Sequence, residues 1–215
     1  MDRFIIGPRP RTVISYFLEE SAAAGPPVAA AAEPPTVRVE EREVPPLAPR
    51  IAVDIFCDGA CVNNGRRGAR AAFGMMARRG ASELFVAAEP LRADEPQTNQ
   101  RAELRGLAAA VTYALTAVSA GATTIRIYSD SEYSINCVTK WVGAWRRAGW
   151  RKADGAPVLH RDILEPLCDK WDSLRGVAFL THVAAHTGRR DPISLGNERA
   201  DELARAALAS TQGFF

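Results

Sequence analysis

Cysteine is scarce in this sequence: Cys57, Cys61, Cys137 and Cys168 are the only four in 215 residues. They form no C-x-x-C pair and have no histidine at zinc-ligand spacing, so a disulfide framework and a zinc fold are set aside. The four are read as reduced thiols of an intracellular chain. Long apolar runs are missing too. Nothing approaches the ~18 consecutive apolar residues that span a bilayer, and the start of the chain lacks the basic region, apolar run and cleavage site of a secretory leader. The expectation is a soluble intracellular protein with no membrane partner. Charge of one sign is not in excess either. The 27 Lys and Arg against 25 Asp and Glu leave a net +2, too little to mark a nucleic-acid binder by charge alone. The distribution is less even, because Lys140, Arg146, Arg147, Arg151 and Lys152 fall in one stretch without an acid.

A chain of this length has room for one domain of about 150 residues plus an appendage. Residues 1–48 are rich in Ala, Pro and Glu and lose periodicity after Phe17, the composition of a disordered or extended tail. The domain is expected over 49–210, with a short C-terminal tail at 211–215. Within the N-terminal tail, Thr12 to Phe17 places Val13 three residues before the aromatic pair Tyr16 and Phe17. That spacing is similar to a sliding-clamp-binding box, although Pro10 stands where its usual glutamine would be; self-docking of the same residues is the competing expectation.

The domain opens on Ile51 to Gly65. Ile51, Val53, Ile55 and Cys57 alternate as in a strand, with Phe56 and Asp58 on the other face. Asp58 is expected at the strand's end, followed by the turn formers Asn63, Asn64 and Gly65, where a carboxylate is placed to meet a ligand. Extended segments follow at 71–78 and 83–89, joined by a tight turn. Thr98 has the character of an N-cap for a helix over 99–119, with an apolar stripe at Leu104, Leu107, Val111, Leu115 and Val118 that Gly121 terminates. A strand at 124–130 ends on Asp130. Helices are expected at 132–142 and at 162–174, where Pro166 should start or kink the second. A last strand at 177–185 leads through a loop opened by His186 to a final helix at 197–209, with Asp201 in its early turns. The order βββαβα(α)αβα specifies a mixed α/β (α+β) architecture with one mixed sheet.

Asp58 and Asp130 thus sit at strand ends, and Glu103 and Asp201 near helix starts. Four carboxylates in one cleft repel unless hard cations neutralise them, and Mg2+ suits oxygen ligands. The segments DGACVNNG, TNQRAEL, YSDSEY, WVGAWRRAGWRK and H…GNERADELA follow one another in this order over residues 51–209. In this the chain resembles type 1 ribonuclease H. The resemblance implies the ribonuclease H-like fold, a five-stranded mixed sheet flanked by helices. It also implies an endonuclease that cleaves the RNA strand of RNA/DNA hybrids to 5′-phosphomonoesters with two Mg2+ ions, Mn2+ being an alternative. It makes Asp58, Glu103, Asp130 and Asp201 the metal-binding catalytic quartet and His186 a mobile-loop histidine that assists proton transfer or product release.

For the substrate, the resemblance implies minor-groove contacts by Asn64, Asn99 and Gln100, and a DNA-strand channel lined by Tyr133 and Trp141. It also implies a phosphate-gripping handle formed by Arg146, Arg147, Trp150, Arg151 and Lys152. Thr98 would belong to a pocket for a DNA phosphate whose other positions are altered here to Pro96 and His160. The loop between His186 and Asp201 is longer than the family pattern. No N-terminal hybrid-binding domain is seen, which argues for distributive cutting. Two alternatives stand beside this reading: a non-catalytic hybrid-binding module, and a DNA-acting nuclease of the wider superfamily.

Overall fold

The computed structural model describes residues 51–210; the tail at 1–48, its Val13, Tyr16 and Phe17 motif and residues 211–215 lie outside the described residues. Three antiparallel strands come first: β1 (Ala52–Val62), β2 (Arg70–Arg79) and β3 (Ser82–Pro90). Helix α1 (Asn99–Ser119) crosses to β4 (Thr124–Ser129), which pairs parallel with β1. A helical segment follows as α2 (Glu132–Asn136), a widened turn over Cys137–Trp141 and α3 (Val142–Arg147). After α4 (Arg161–Asp172), β5 (Ala178–His182) pairs parallel with β4, and α5 (Pro192–Ser210) ends the domain. The sheet order is β3-β2-β1-β4-β5, the five-stranded mixed sheet expected.

Alternation along β1 decides what lies on each face. Val53, Ile55 and Cys57 join Leu104, Leu107 and Val111 of α1 and Leu164 and Leu167 of α4 in the main core, all buried. Phe56 faces the other way, stacked on Tyr128 at 4.9 Å between ring centres, with Met76 and Ala200 beside it under α5. Thr98 caps α1 by accepting from Arg101 N, as its residue type suggested, and Gly121 at φ 96° lets the chain leave the helix. Among the described residues no helix is long and apolar enough to cross a membrane.

Three expected boundaries are corrected. β1 continues four residues past Asp58, because β2 supplies an antiparallel partner as far as Val62 after the parallel partner β4 stops at Phe56. Pro166 does not start α4: the helix begins at Arg161 and carries the proline within it, its face of Ile163, Leu164, Leu167 and Cys168 buried in the core. α5 begins five residues before Asn197, so Asp201 sits in its middle and much of the long loop after His186 is helix. Asp191 supplies the start, its Oδ1 accepting from Ile193 N (3.0 Å) and Ser194 N (3.1 Å), with Pro192 at the first helical position.

Candidate active site

Two glycines let two helices press onto the sheet from opposite sides. A Cβ on Gly59 would come within 2.3 Å of Glu103 N and 2.6 Å of the Ala102 carbonyl carbon, so α1 reaches the sheet there only because that position has no side chain. On the other face, a Cβ on Gly74 would lie 2.3 Å from Ala200 O and 2.6 Å from Ala204 N of α5. Gly74 is the residue paired with Asp58 across β1 and β2. The glycine beside Asp58 therefore brings in Glu103, and the glycine opposite it brings in the turn of α5 that carries Asp201. Asp130 comes from the adjacent strand, one residue beyond Ser129 at the end of β4.

The carboxylates feel one another. Asp58 is 8 % exposed, and burial, then the Asp130 and Asp201 charges, push its pKa up to about 8 against the pull of the Gly59 N–H, which donates to Oδ1 at 2.6 Å. Burial and the Asp130 charge raise Glu103, opposed by hydrogen bonds from Ser131 Oγ (2.5 Å) and Asn99 Nδ2 (2.7 Å). The neighbouring Cys57 thiol is pushed up by burial and by Asp58, Asp130 and Glu103, which keeps it an inert core residue. Asp130 Oδ2 accepts from Asn197 Nδ2 at 3.2 Å, and Asp201 Oδ1 is 2.9 Å from Arg205 Nε one turn on.

Among the described residues, no three His, Cys, Asp or Glu side chains are gathered tightly enough to hold a metal ion. The four acids nevertheless face one cleft, since the Asp130 and Asp201 charges both reach Asp58 and the Asp130 charge also reaches Glu103. The donor set fits a hard cation: the buried Asp58 and half-buried Glu103, both with raised pKa values, and beside Asp130 the buried Asn197 Oδ1, which has no partner among the described residues.

His186 is exposed, at φ 47°, and makes no hydrogen bond to a described residue. The histidine that contacts a residue of the cluster is His182, whose Nε2 lies 3.1 Å from the backbone carbonyl oxygen of Asp130. Sequence reasoning passed over it. Its signal was the register of β5, which sets the last strand residue beside Ser129, one position before Asp130.

A sequence profile of the RNase H family matches residues 50–209. The chain belongs to the RNase H family. It is 33 % identical over 162 residues to ribonuclease H1 of Rattus norvegicus, a match covering 75 % of this chain and 52 % of that one. It is 31 % identical over 182 residues to ribonuclease H of Pelobacter propionicus, covering 81 % of this chain and 95 % of the relative. The chain thus spans about half the length of the mammalian relatives and nearly all of the bacterial one. Among solved structures, the solution structure of the PFV RNase H domain aligns with a TM-score of 0.62 at 19 % identity, covering 75 % of this chain and 96 % of that domain. The foamy viral protease-reverse transcriptase in complex with RNA/DNA hybrid aligns equally well (0.62, 19 %), over 82 % of this chain and 22 % of the viral one.

In this RNase H chain the residues expected to meet the substrate fall into four groups. Asn64 Oδ1 accepts from Asn99 N at 3.3 Å, and Asn99 in turn holds Glu103, so the β1–β2 turn, the start of α1 and the carboxylates are linked in series. Tyr133 and Trp141 lie 6.0 Å apart, and Trp141 is 38 % exposed. The widened turn, in which Val142 N bonds Cys137 O, falls between them.

The handle is corrected in part. Trp150, at φ 61°, is 6 % exposed and belongs to the core, with Arg161 stacked over its ring, so it is packing and not a surface contact. Arg146 is held by Asp172 (2.5 Å) and Asp169 (2.6 Å) of α4. Arg151 bonds Gly155 O, and Lys152 stands 3.5 Å from Asp154. Arg147 is left exposed with no ion pair among the described residues.

Around Thr98, a cleft of about 630 Å3 is lined by Pro96, Gln100, Arg101 and His160. Arg101 is buried and already matched, by Glu95 Oε2 at 2.8 Å and by both oxygens of Asp162 at 3.1 and 2.5 Å. His160 Nδ1 is 3.5 Å from the same guanidinium, and burial followed by the Arg101 charge holds the imidazole below its ordinary pKa. A neutral imidazole beside a neutralised guanidinium is a poor phosphate receptor, and the sequence reading missed the Glu95–Arg101–Asp162 network that makes it so.

Proposed function

We propose that the chain is a divalent-cation-dependent endonuclease that hydrolyses the RNA strand of RNA/DNA hybrids. The observation that carries this reading is the carboxylate cleft built on Gly59 and Gly74, in which Asp58 is held neutral up to about pH 8 by burial and its neighbours. A cluster that suppresses its own ionisation is short of positive charge. Asp58, Glu103, Asp130 and Asp201 would hold two Mg2+ ions, which when bound supply an activated water and stabilise the leaving oxygen of an in-line displacement. Asn197 orients Asp130 through its amide, and Ser131 and Asn99 fix the two oxygens of Glu103. Asn64, Asn99 and Gln100 read the minor groove, where the 2′-hydroxyls that distinguish RNA from DNA are displayed. Tyr133 and Trp141 take the deoxyribose side, and His186 gives a proton to the leaving 3′ oxygen.

The test is an end-labelled RNA/DNA hybrid incubated with Mg2+ beside RNA duplex, DNA duplex and single-stranded RNA. Internal cleavage confined to the RNA of the hybrid is expected, leaving 5′-phosphates. Cutting of duplex DNA would give the site to another nuclease class, and tight hybrid binding without cutting would make the chain a binding module.

A further inference from the structure

The segment from Val183 to Asn197 leaves the carboxylate cleft and returns to it. At its start Val183 N donates to Ser129 O at 3.0 Å, next to the His182 contact with Asp130 O; at its end Asn197 Nδ2 donates to Asp130 Oδ2. Within it, Thr187 Oγ1 donates to Ser194 Oγ (3.1 Å), Arg189 N donates to Thr187 Oγ1 (3.2 Å) and Ser194 Oγ donates to Asp191 Oδ2 (2.8 Å). Asp191 is the only acid of the segment. Its oxygens are taken by the first turn of α5, and hydrogen bonds from Ser194 hold its carboxyl below the usual range, with Arg189 contributing least. Arg189 and Arg190 are both exposed, and neither has a hydrogen bond or ion pair from its side chain to a described residue. This sets them apart from Arg101 and Arg146, whose charges are met by acids on α4 and, for Arg101, by Glu95 as well.

We infer that Arg189 and Arg190 form a phosphate-binding pair at the rim of the cleft, gripping the cut strand a few nucleotides from the scissile bond. The inference rests on the hybrid-nuclease reading above. Four carboxylates repel a phosphate backbone, and adjacent guanidinium groups on a pinned loop offset that repulsion just outside the cluster. The five helical steps from Pro192 to Asn197 span about 8 Å of helix axis, so the pair stands roughly two to three phosphates from Asn197 at ~3.4 Å rise per nucleotide.

The experiment compares the wild type with Arg189→Ala/Arg190→Ala and Arg189→Lys/Arg190→Lys in steady-state cleavage of a hybrid across a KCl series. For the Ala variant we expect kcat within about twofold, KM raised about tenfold near 100 mM salt, and a slope of log(1/KM) against log[salt] shallower by about 1.5, the loss of two phosphate contacts. The Lys variant, which keeps both charges, should retain the wild-type slope. A hybrid with neutral methylphosphonate linkages two and three nucleotides from a single cut site, on each side in turn, should weaken the wild type on one side and cost the Ala variant nothing further. An unchanged slope, or penalties that simply add, overturns the pair while leaving the nuclease reading in place. No cleavage by the wild type overturns both.

Discussion

Asp58 is where the sequence and the chemistry of the site meet. Its alternation with Phe56 and the glycine after it were legible, and so was a carboxylate delivered to the sheet edge. What could not be read was its burial, because that depends on Gly74 lying opposite and on α5 pressing there, and Ala200 of α5 is well over one hundred residues from Gly74 in sequence. The raised pKa has a consequence for stability. With a folded value of about 8 against an ordinary value near 4, Asp58 favours folding fully below about pH 4, and that contribution is lost as pH rises through 8. Asp58→Asn removes the titration. Without divalent cation, its melting temperature should therefore exceed wild type by a margin that grows from pH 5 to pH 9, reaching several degrees, and 10 mM Mg2+ should shrink the margin at about pH 9 by stabilising the ionised wild type. Scanning fluorimetry across pH checks this; a margin that is flat with pH would mean that Asp58 is not electrostatically burdened. The histidines show the opposite failure of legibility. His186 stood out by motif, whereas His182 touches the Asp130 backbone and was signalled only by strand register.

At the scale of elements, period-2 alternation located β1 and the 3-to-4 stripe located α1, because each buries a defined face, whereas β2, buried along most of its length, and β3, largely exposed, were placed by the tight turn between them. Boundaries set by partners were harder. β1 overran Asp58 because β2 continued to pair with it, and α5 began early on an Asp-Pro start that is itself a recognised helix-entry pattern but lacks an apolar stripe. The Trp and Arg interleaving of 145–152 read as a surface grip. Its neutralising acids, Asp169 and Asp172, come from α4, and local composition does not report them. Gly59 tests whether the α1 approach organises the site. Gly59→Ala puts a methyl carbon against the backbone of Ala102 and Glu103, so a loss of about 3 kcal/mol, or roughly 6–12 °C in melting temperature, is expected together with a fall in cleavage. Thermal unfolding beside a cleavage assay measures both; a wild-type melting temperature would show that α1 can stand off the sheet without cost.

Across the whole molecule, a nearly neutral net charge conceals a division of labour. Acids gather in the cleft, Arg101 and Arg146 are met by carboxylates of the same chain, and Arg147, Arg189 and Arg190 are among the exposed arginines that have no ion pair to a described residue. Family membership follows from the match over residues 50–209, and the five-stranded mixed sheet follows from the strand order. The central claim is narrower: the four acids act as one cation-dependent hydrolytic site. Asp130 tests it most directly, because it stands between the others, affecting both Asp58 and Glu103 and held by Asn197. The measurement is single-turnover cleavage of a labelled hybrid by Asp130→Asn in Mg2+, with hybrid affinity measured on the same preparation. The account predicts a rate lowered by more than about 100-fold, beyond the ~10- to 100-fold typical of losing a mere supporting partner of a metal ligand, with affinity unchanged or improved. A wild-type rate from the folded variant would contradict it.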